Sequence, residues 1–99
     1  MKVFLSKVAE AKLLYLTNYL LEEWGIKVRD DFIRRLTEKI NQIAVYPKSC
    51  PQSEIFKGLF KCVVSKQTSL FYRIKPEEKE IEIITVFDTR QNPDELIKE

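Results

Sequence analysis

The 99-residue sequence contains no histidine. That removes the commonest general base near neutral pH, so any catalysis must rest on Lys, Arg, Tyr or carboxylates. It holds only two cysteines, Cys50 and Cys62. One lies between prolines in a connecting stretch and the other in a strand-like run, which reads as two free thiols rather than a disulfide. Without histidine or a second cysteine pair, no zinc site is expected, and neither another metal nor a cofactor. No apolar run approaches the roughly 18 residues needed to cross a bilayer. The start, "MKVFLSKV", has too short an apolar stretch for a signal peptide. The expectation is a cytoplasmic protein with no membrane partner. No repeat, linker or low-complexity tract divides the chain, so residues 1–99 read as one domain.

What is present is a charge asymmetry. Residues 1–75 carry 14 Lys and Arg against 7 Asp and Glu, while residues 76–99 carry 3 against 8. A basic body suits an anionic partner; ordinary solvation of a charged surface is the plainer reading.

The apolar pattern switches period once. "KVFLS" is a short strand-like run ending in Ser6, a good helix N-cap. Ala9, Leu13, Leu16 and Leu20 then recur at helical spacing, with Leu14, Tyr15 and Leu21 widening the stripe. Gly25 marks a helix end. Val28, Phe32, Leu36, Ile40 and Ile43 form a second helical face, closed by Pro47. After the polar loop "PKSCPQSE" the period becomes two. "GLFKCVVS" (58–65), "SLFYRIK" (69–75) and "IEIITVF" (81–87) read as a three-strand meander, and Asn92-Pro93 as a closing turn. The expected fold is α+β: an N-terminal strand and a helical hairpin packed on an antiparallel sheet. Leu70, Tyr72 and Ile74 are expected on one side of the sheet, and Ile81, Ile83, Thr85 and Phe87 together on one side of the last strand. With helices on one face, the other must be covered or partly exposed.

These words in this order resemble the RelE/ParE superfamily of type II toxins along essentially the whole chain. "LSKVAEAKLLYL" is similar to its first helix, and Phe32, Leu36, Ile40 and Pro47 to its second. "GLFKCVV" is similar to its first hairpin strand, "LFYRI" to the next, and "IITVFDTRQNP" to its last. The resemblance implies a growth-inhibiting toxin neutralised by a cognate antitoxin. It leaves the target open. RelE-like members cut mRNA in the ribosome with a cluster of basic residues, whereas ParE-like members poison DNA gyrase and lack that cluster.

A nuclease without histidine needs several cations converging on one phosphate. The first hairpin strand offers Lys61 alone, between Phe60 and Cys62. Ser69 stands where an Arg is expected, and no Tyr follows Arg90. The candidates for catalysis are therefore Arg90, Lys61 and Arg73. Those for binding a target or antitoxin are Arg90, Lys57, Lys61, Arg73 and Trp24. Each has a plainer reading: Arg90 in a salt bridge to Asp88 or Asp94, the lysines and Arg73 on a solvated face, Trp24 at the core edge. The weak basic set favours the ParE-like class. A ribosome-dependent nuclease and an inactive member that only binds its antitoxin are the alternatives.

Overall fold

The computed structural model describes residues 1–90; the Asn92-Pro93 turn and Asp94 lie outside them. The elements run β1 (Lys2–Leu5), α1 (Lys7–Trp24), α2 (Ile26–Val45), β2 (Phe60–Val63), β3 (Thr68–Lys75) and β4 (Glu80–Asp88). The sheet order is β1-β4-β3-β2. The meander β2-β3-β4 is antiparallel as expected, and β1 joins beside β4 in parallel, so the sheet is mixed. A strand that must return through two helices to the same side of a sheet commonly enters parallel.

Ser6 does what its position predicts. Its hydroxyl oxygen accepts from the Ala9 amide at 2.9 Å, capping α1, and donates to the Ile84 carbonyl at 2.7 Å. One side chain thus ends β1, starts α1 and satisfies β4. Gly25 separates the helices at φ 95° and ψ 169°, a region that is essentially restricted to glycine. At the other end of α2 the chain's N-terminal ammonium donates to the Ala44 carbonyl at 2.7 Å. A cation at a helix C-terminus suits the helix dipole.

Ala9, Leu13, Leu16 and Leu20 are buried, as their spacing predicts, and meet Phe32 and Ile43 of α2 over Leu70, Tyr72, Ile81, Ile83 and Val86 of the sheet. Each fully buried Leu, Ile or Phe of this set contributes about 1.5–3 kcal/mol. Leu14, Tyr15 and Leu21 do not widen the stripe. They are 65%, 66% and 39% exposed, because they flank the core-facing arc of α1.

The sequence expectation for β4 fails halfway along. Phe71 pairs with Thr85 but Tyr72 with Ile83, so Ile84 is an extra residue, a bulge. The bulge reverses the alternation. Ile81 and Ile83 share the helix-side face with Val86 and Asp88, not with Thr85 and Phe87. The opposite face is partly covered by the connection before β2. The ring of Phe56 meets buried Phe71 edge-on, with centroids 4.9 Å apart.

Candidate functional site

The end of β4 places a charged group inside the protein. Asp88 faces Thr68 across the ladder and its side chain is fully buried. The Thr68 hydroxyl donates to its Oδ2. Two residues later the chain turns back, and Asp88 holds the turn: the Arg90 amide donates to Oδ1 at 2.9 Å. This local side-chain-to-backbone bond is the usual reason for Asp at such a position. The Arg90 guanidinium completes the arrangement with two more bonds, Nε to Oδ1 at 3.0 Å and an Nη to Oδ2 at 2.8 Å. Burial pushes the Asp88 carboxyl up, but the Arg90 guanidinium, the Thr68 hydroxyl and the Arg90 amide outweigh it and hold the carboxyl below its ordinary value.

Arg90 is fastened on its other sides too. Its carbonyl accepts from the Tyr19 hydroxyl at 2.9 Å. Its guanidinium carbon lies 5.9 Å from the centre of the Trp24 ring, within range of a cation–π attraction. The side chain is only 14% exposed. Beside it, Val28, Phe32, Arg35 and the β2–β3 turn from Ser65 to Gln67 line a pocket of about 240 Å³. Of the residues singled out from sequence, Arg90 and Trp24 are therefore brought together. Trp24 itself is 53% exposed, so it lies over Arg90 and not in the core.

Lys61 and Arg73 are placed elsewhere. Lys61 pairs with Phe71 on the sheet face away from the helices, and Arg73 follows two residues on along the same face. From Thr68 to Arg73 is five strand residues, about 17 Å. Arg90 thus sits by the helix-side face, whereas Lys61, midway along the meander, and Arg73, towards its other end, lie on the opposite face. Arg73 meets Glu82 through Nε at 2.9 Å and an Nη at 2.8 Å, and Lys75 reaches the same carboxylate at 3.4 Å. The hydrogen bond from Arg73 lowers the Glu82 carboxyl; burial opposes this, and Lys75 adds to the lowering. Lys57 is exposed in the turn before Gly58, ahead of β2.

Two features were not found from sequence. One is the buried network of Thr68, Asp88 and Tyr19 around Arg90. The Asp-Thr-Arg spacing was a signal for the turn, but Tyr19 lies 71 positions away. The other is an apolar groove of about 820 Å³ at the far end of the molecule, lined by Met1, Tyr46, Pro47, Phe60 and Ile74 among others. No group of three or more potential metal ligands occurs among the described residues. Among them, too, no helix is long and apolar enough to cross a membrane.

Comparison with known proteins fits this geometry. Residues 3–93 match the family model described as the ParE toxin of the type II toxin–antitoxin system parDE. No curated protein matches the chain. Among solved structures, a chain of the chromosomal ParDE toxin–antitoxin system from P. aeruginosa superposes with a TM-score of 0.72 at 18% identity, covering 89% of this chain and 95% of that one. A metal-bound toxin from Helicobacter pylori gives 0.65 at 16%, covering 93% and 98%. The E. coli RelBE toxin–antitoxin complex gives 0.60 at 16%, covering 88% and 94%. At these identities the structural likeness speaks for the fold alone, while the family model spans nearly the whole described chain. The chain belongs to the ParE toxin family of type II toxin–antitoxin systems.

Proposed function

We propose that this chain is a toxin that acts by binding, with DNA gyrase as its target, and that a cognate antitoxin neutralises it in the cytoplasm. One observation carries the choice of target class. Arg90, the cation that a strand-end nuclease site would need, is spent on Asp88. Lys61 and Arg73 face away from it, and Arg73 is itself paired. A ribonuclease without histidine must stabilise a pentavalent phosphate with several cations at once. Arg90 on one face of the sheet and Lys61 and Arg73 on the other cannot converge on one phosphate, and Arg35, which lines the pocket beside Arg90, is itself paired with Asp31.

The likeness to solved ParDE and RelBE assemblies supports an antitoxin partner. So does the amount of apolar surface. Leu14 and Tyr15 on α1, and Val45 and Tyr46 at the end of α2, are each about two-thirds exposed. A soluble monomer of this size rarely leaves so many large apolar side chains in water without a partner for them.

The test is a gyrase supercoiling assay with the purified chain, followed by addition of the product of the adjacent reading frame. Inhibition of gyrase, relieved by that product, is the expected result. Growth arrest in cells with unaffected gyrase points to the ribosome-dependent nuclease instead. Normal growth at high soluble expression points to an inactive member that only binds its antitoxin.

A further inference from the structure

The connection between α2 and β2 runs back along the edge of the sheet before it enters it. Gln52 bridges Phe60 in antiparallel fashion. The Lys61 amide donates to the Pro51 carbonyl and the Ser53 amide to the Leu59 carbonyl, both at 2.8 Å. These two bonds bracket Gln52 and Phe60, which makes them a non-hydrogen-bonded pair. Carried two positions past this isolated bridge, beyond Pro51, which has no N–H to extend a ladder, the same register would set Cys50 against Cys62. In such pairs the Cα atoms are about 4.5 Å apart and the side chains close. A disulfide needs about 4.4–6.8 Å. Cys62 pairs with Leu70 on the other side, on the helix-side face, and both cysteines are free and buried, at 8% and 0% exposure.

From this geometry we propose that Cys50 and Cys62 form a reversible disulfide that fastens the segment 46–59 to β2. The inference does not depend on the target of the toxin. The electrostatics agree with a contact between the thiols. Burial is the main cause that pushes the Cys62 thiol up to about 12, a hydrogen bond with Cys50 adds to it, and Lys39 opposes it. Cys62 is therefore held protonated, and Cys50, the more exposed of the two, is the thiol that meets an oxidant first.

The oxidant is a low-molecular-weight disulfide, RSSR. Cys50 gives up its proton and its thiolate attacks one sulfur of RSSR. A Cys50–S–S–R bond forms, and the released RS⁻ takes up a proton. Cys62 then loses its proton and attacks Cys50 Sγ, and the second RS⁻ leaves and is protonated. Two protein thiols are oxidised and one RSSR is reduced to two RSH.

The bond would change how the segment opens. In the reduced chain the segment is held by the bonds around the Gln52–Phe60 bridge, by Phe56 against Phe71 and by the Tyr72 hydroxyl, which donates to the Pro47 carbonyl at 2.7 Å. Tyr46, Pro47, Lys48 and Ser49 also form one wall of the apolar groove. Oxidation ties that wall to the sheet through a covalent bond. It also removes chain entropy from the unfolded state.

The experiment treats the folded full-length chain with oxidised glutathione and measures intact mass, tryptic peptides and melting temperature. The expected result is loss of the mass of two hydrogens. Peptide 49–57 is then recovered linked to peptide 62–66, and the melting temperature rises by about 10 °C. Cys50→Ser, which retains the core thiol Cys62, keeps its melting temperature under the same treatment. The proposal is overturned if both thiols remain available for alkylation after unfolding, or if a glutathione adduct on Cys50 persists as the final product. An equal rise in Cys50→Ser overturns it as well.

Discussion

Arg90 and Arg73 each face one carboxylate with paired nitrogen–oxygen contacts of 2.8–3.0 Å, yet they are in different physical situations. The Arg90 side chain is 14% exposed and its partner Asp88 is fully buried; the Arg73 side chain is 51% exposed and Glu82 23%. Sequence alone gives Arg73 as a basic residue on a strand and Arg90 as one just past a strand end. What separates them is what happens when one partner is removed. Deleting an exposed partner returns the other to water at little cost. Deleting a buried partner strands a charge in the interior. The Arg90–Asp88 pair therefore holds the strand end, whereas Arg73 and Glu82 pair on an exposed face.

The largest expected effect follows from that contrast. Arg90→Ala leaves Asp88 buried with only the Thr68 hydroxyl and a backbone amide, and costs about 3–5 kcal/mol. For a domain of this size the melting temperature falls by more than about 12 °C. Arg90→Ala combined with Asp88→Ala recovers a large part of the loss, because the stranded charge goes with its partner. A melting temperature for Arg90→Ala within a few degrees of the parent erases the distinction between the two arginines.

Acid sharpens the same comparison. The folded-state pKa of Asp88 is lowered, so its contribution to stability is fully present above the unfolded carboxylate value of about 3.9. That contribution is lost as the pH falls through the lowered folded value. Glu82 is shifted in the same direction, but it is partly exposed and contributes less. Asp31 is lowered as well, but it too is exposed, so in urea unfolding across the acid range the buried Asp88 is expected to contribute more to the decline than either Asp31 or Glu82. Asp88→Asn is expected to be less stable near neutrality and to flatten that limb, whereas Glu82→Gln leaves it nearly unchanged.

The smallest effect is at Arg73. Arg73→Ala changes stability by at most about 1 kcal/mol, and raising salt to about 1 M narrows even that difference, since exposed pairs are screened. Arg90→Ala keeps most of its deficit in the same salt. If Arg73→Ala preserves folding and still weakens binding of the antitoxin or of gyrase in calorimetry, the exposed face is part of the contact surface.

Much of the fold was legible because it depends on period and punctuation. The Ala9–Leu20 spacing, the Ser6 cap, Gly25 between the helices and Pro47 after them each specify a local geometry that the structure keeps. The meander was legible for the same reason. The bulge at Ile84 was not, because neither Gly nor Pro marks it. Its extra carbonyl is satisfied by Ser6, nearly eighty residues earlier. The parallel entry of β1 depends on the whole path of the hairpin, which local pattern does not contain. At the site, the Asp88–Arg90 pair was one of two readings of "FDTRQNP", and the rest of its setting comes from Tyr19, Trp24 and Thr68, brought in by tertiary packing. The separation of Lys61 and Arg73 from Arg90 needed the register and the direction of each strand.

The central claim is that these cations do not assemble a ribonuclease site. The most direct measurement is the integrity of an mRNA during its translation in a cell extract, with the folded chain added in excess over ribosomes. The account predicts that the transcript stays full-length, with no new 5′ ends by primer extension. Cleavage at defined codons that depends on translation, and that Lys61→Ala or Arg73→Ala abolishes in a folded chain, would contradict it.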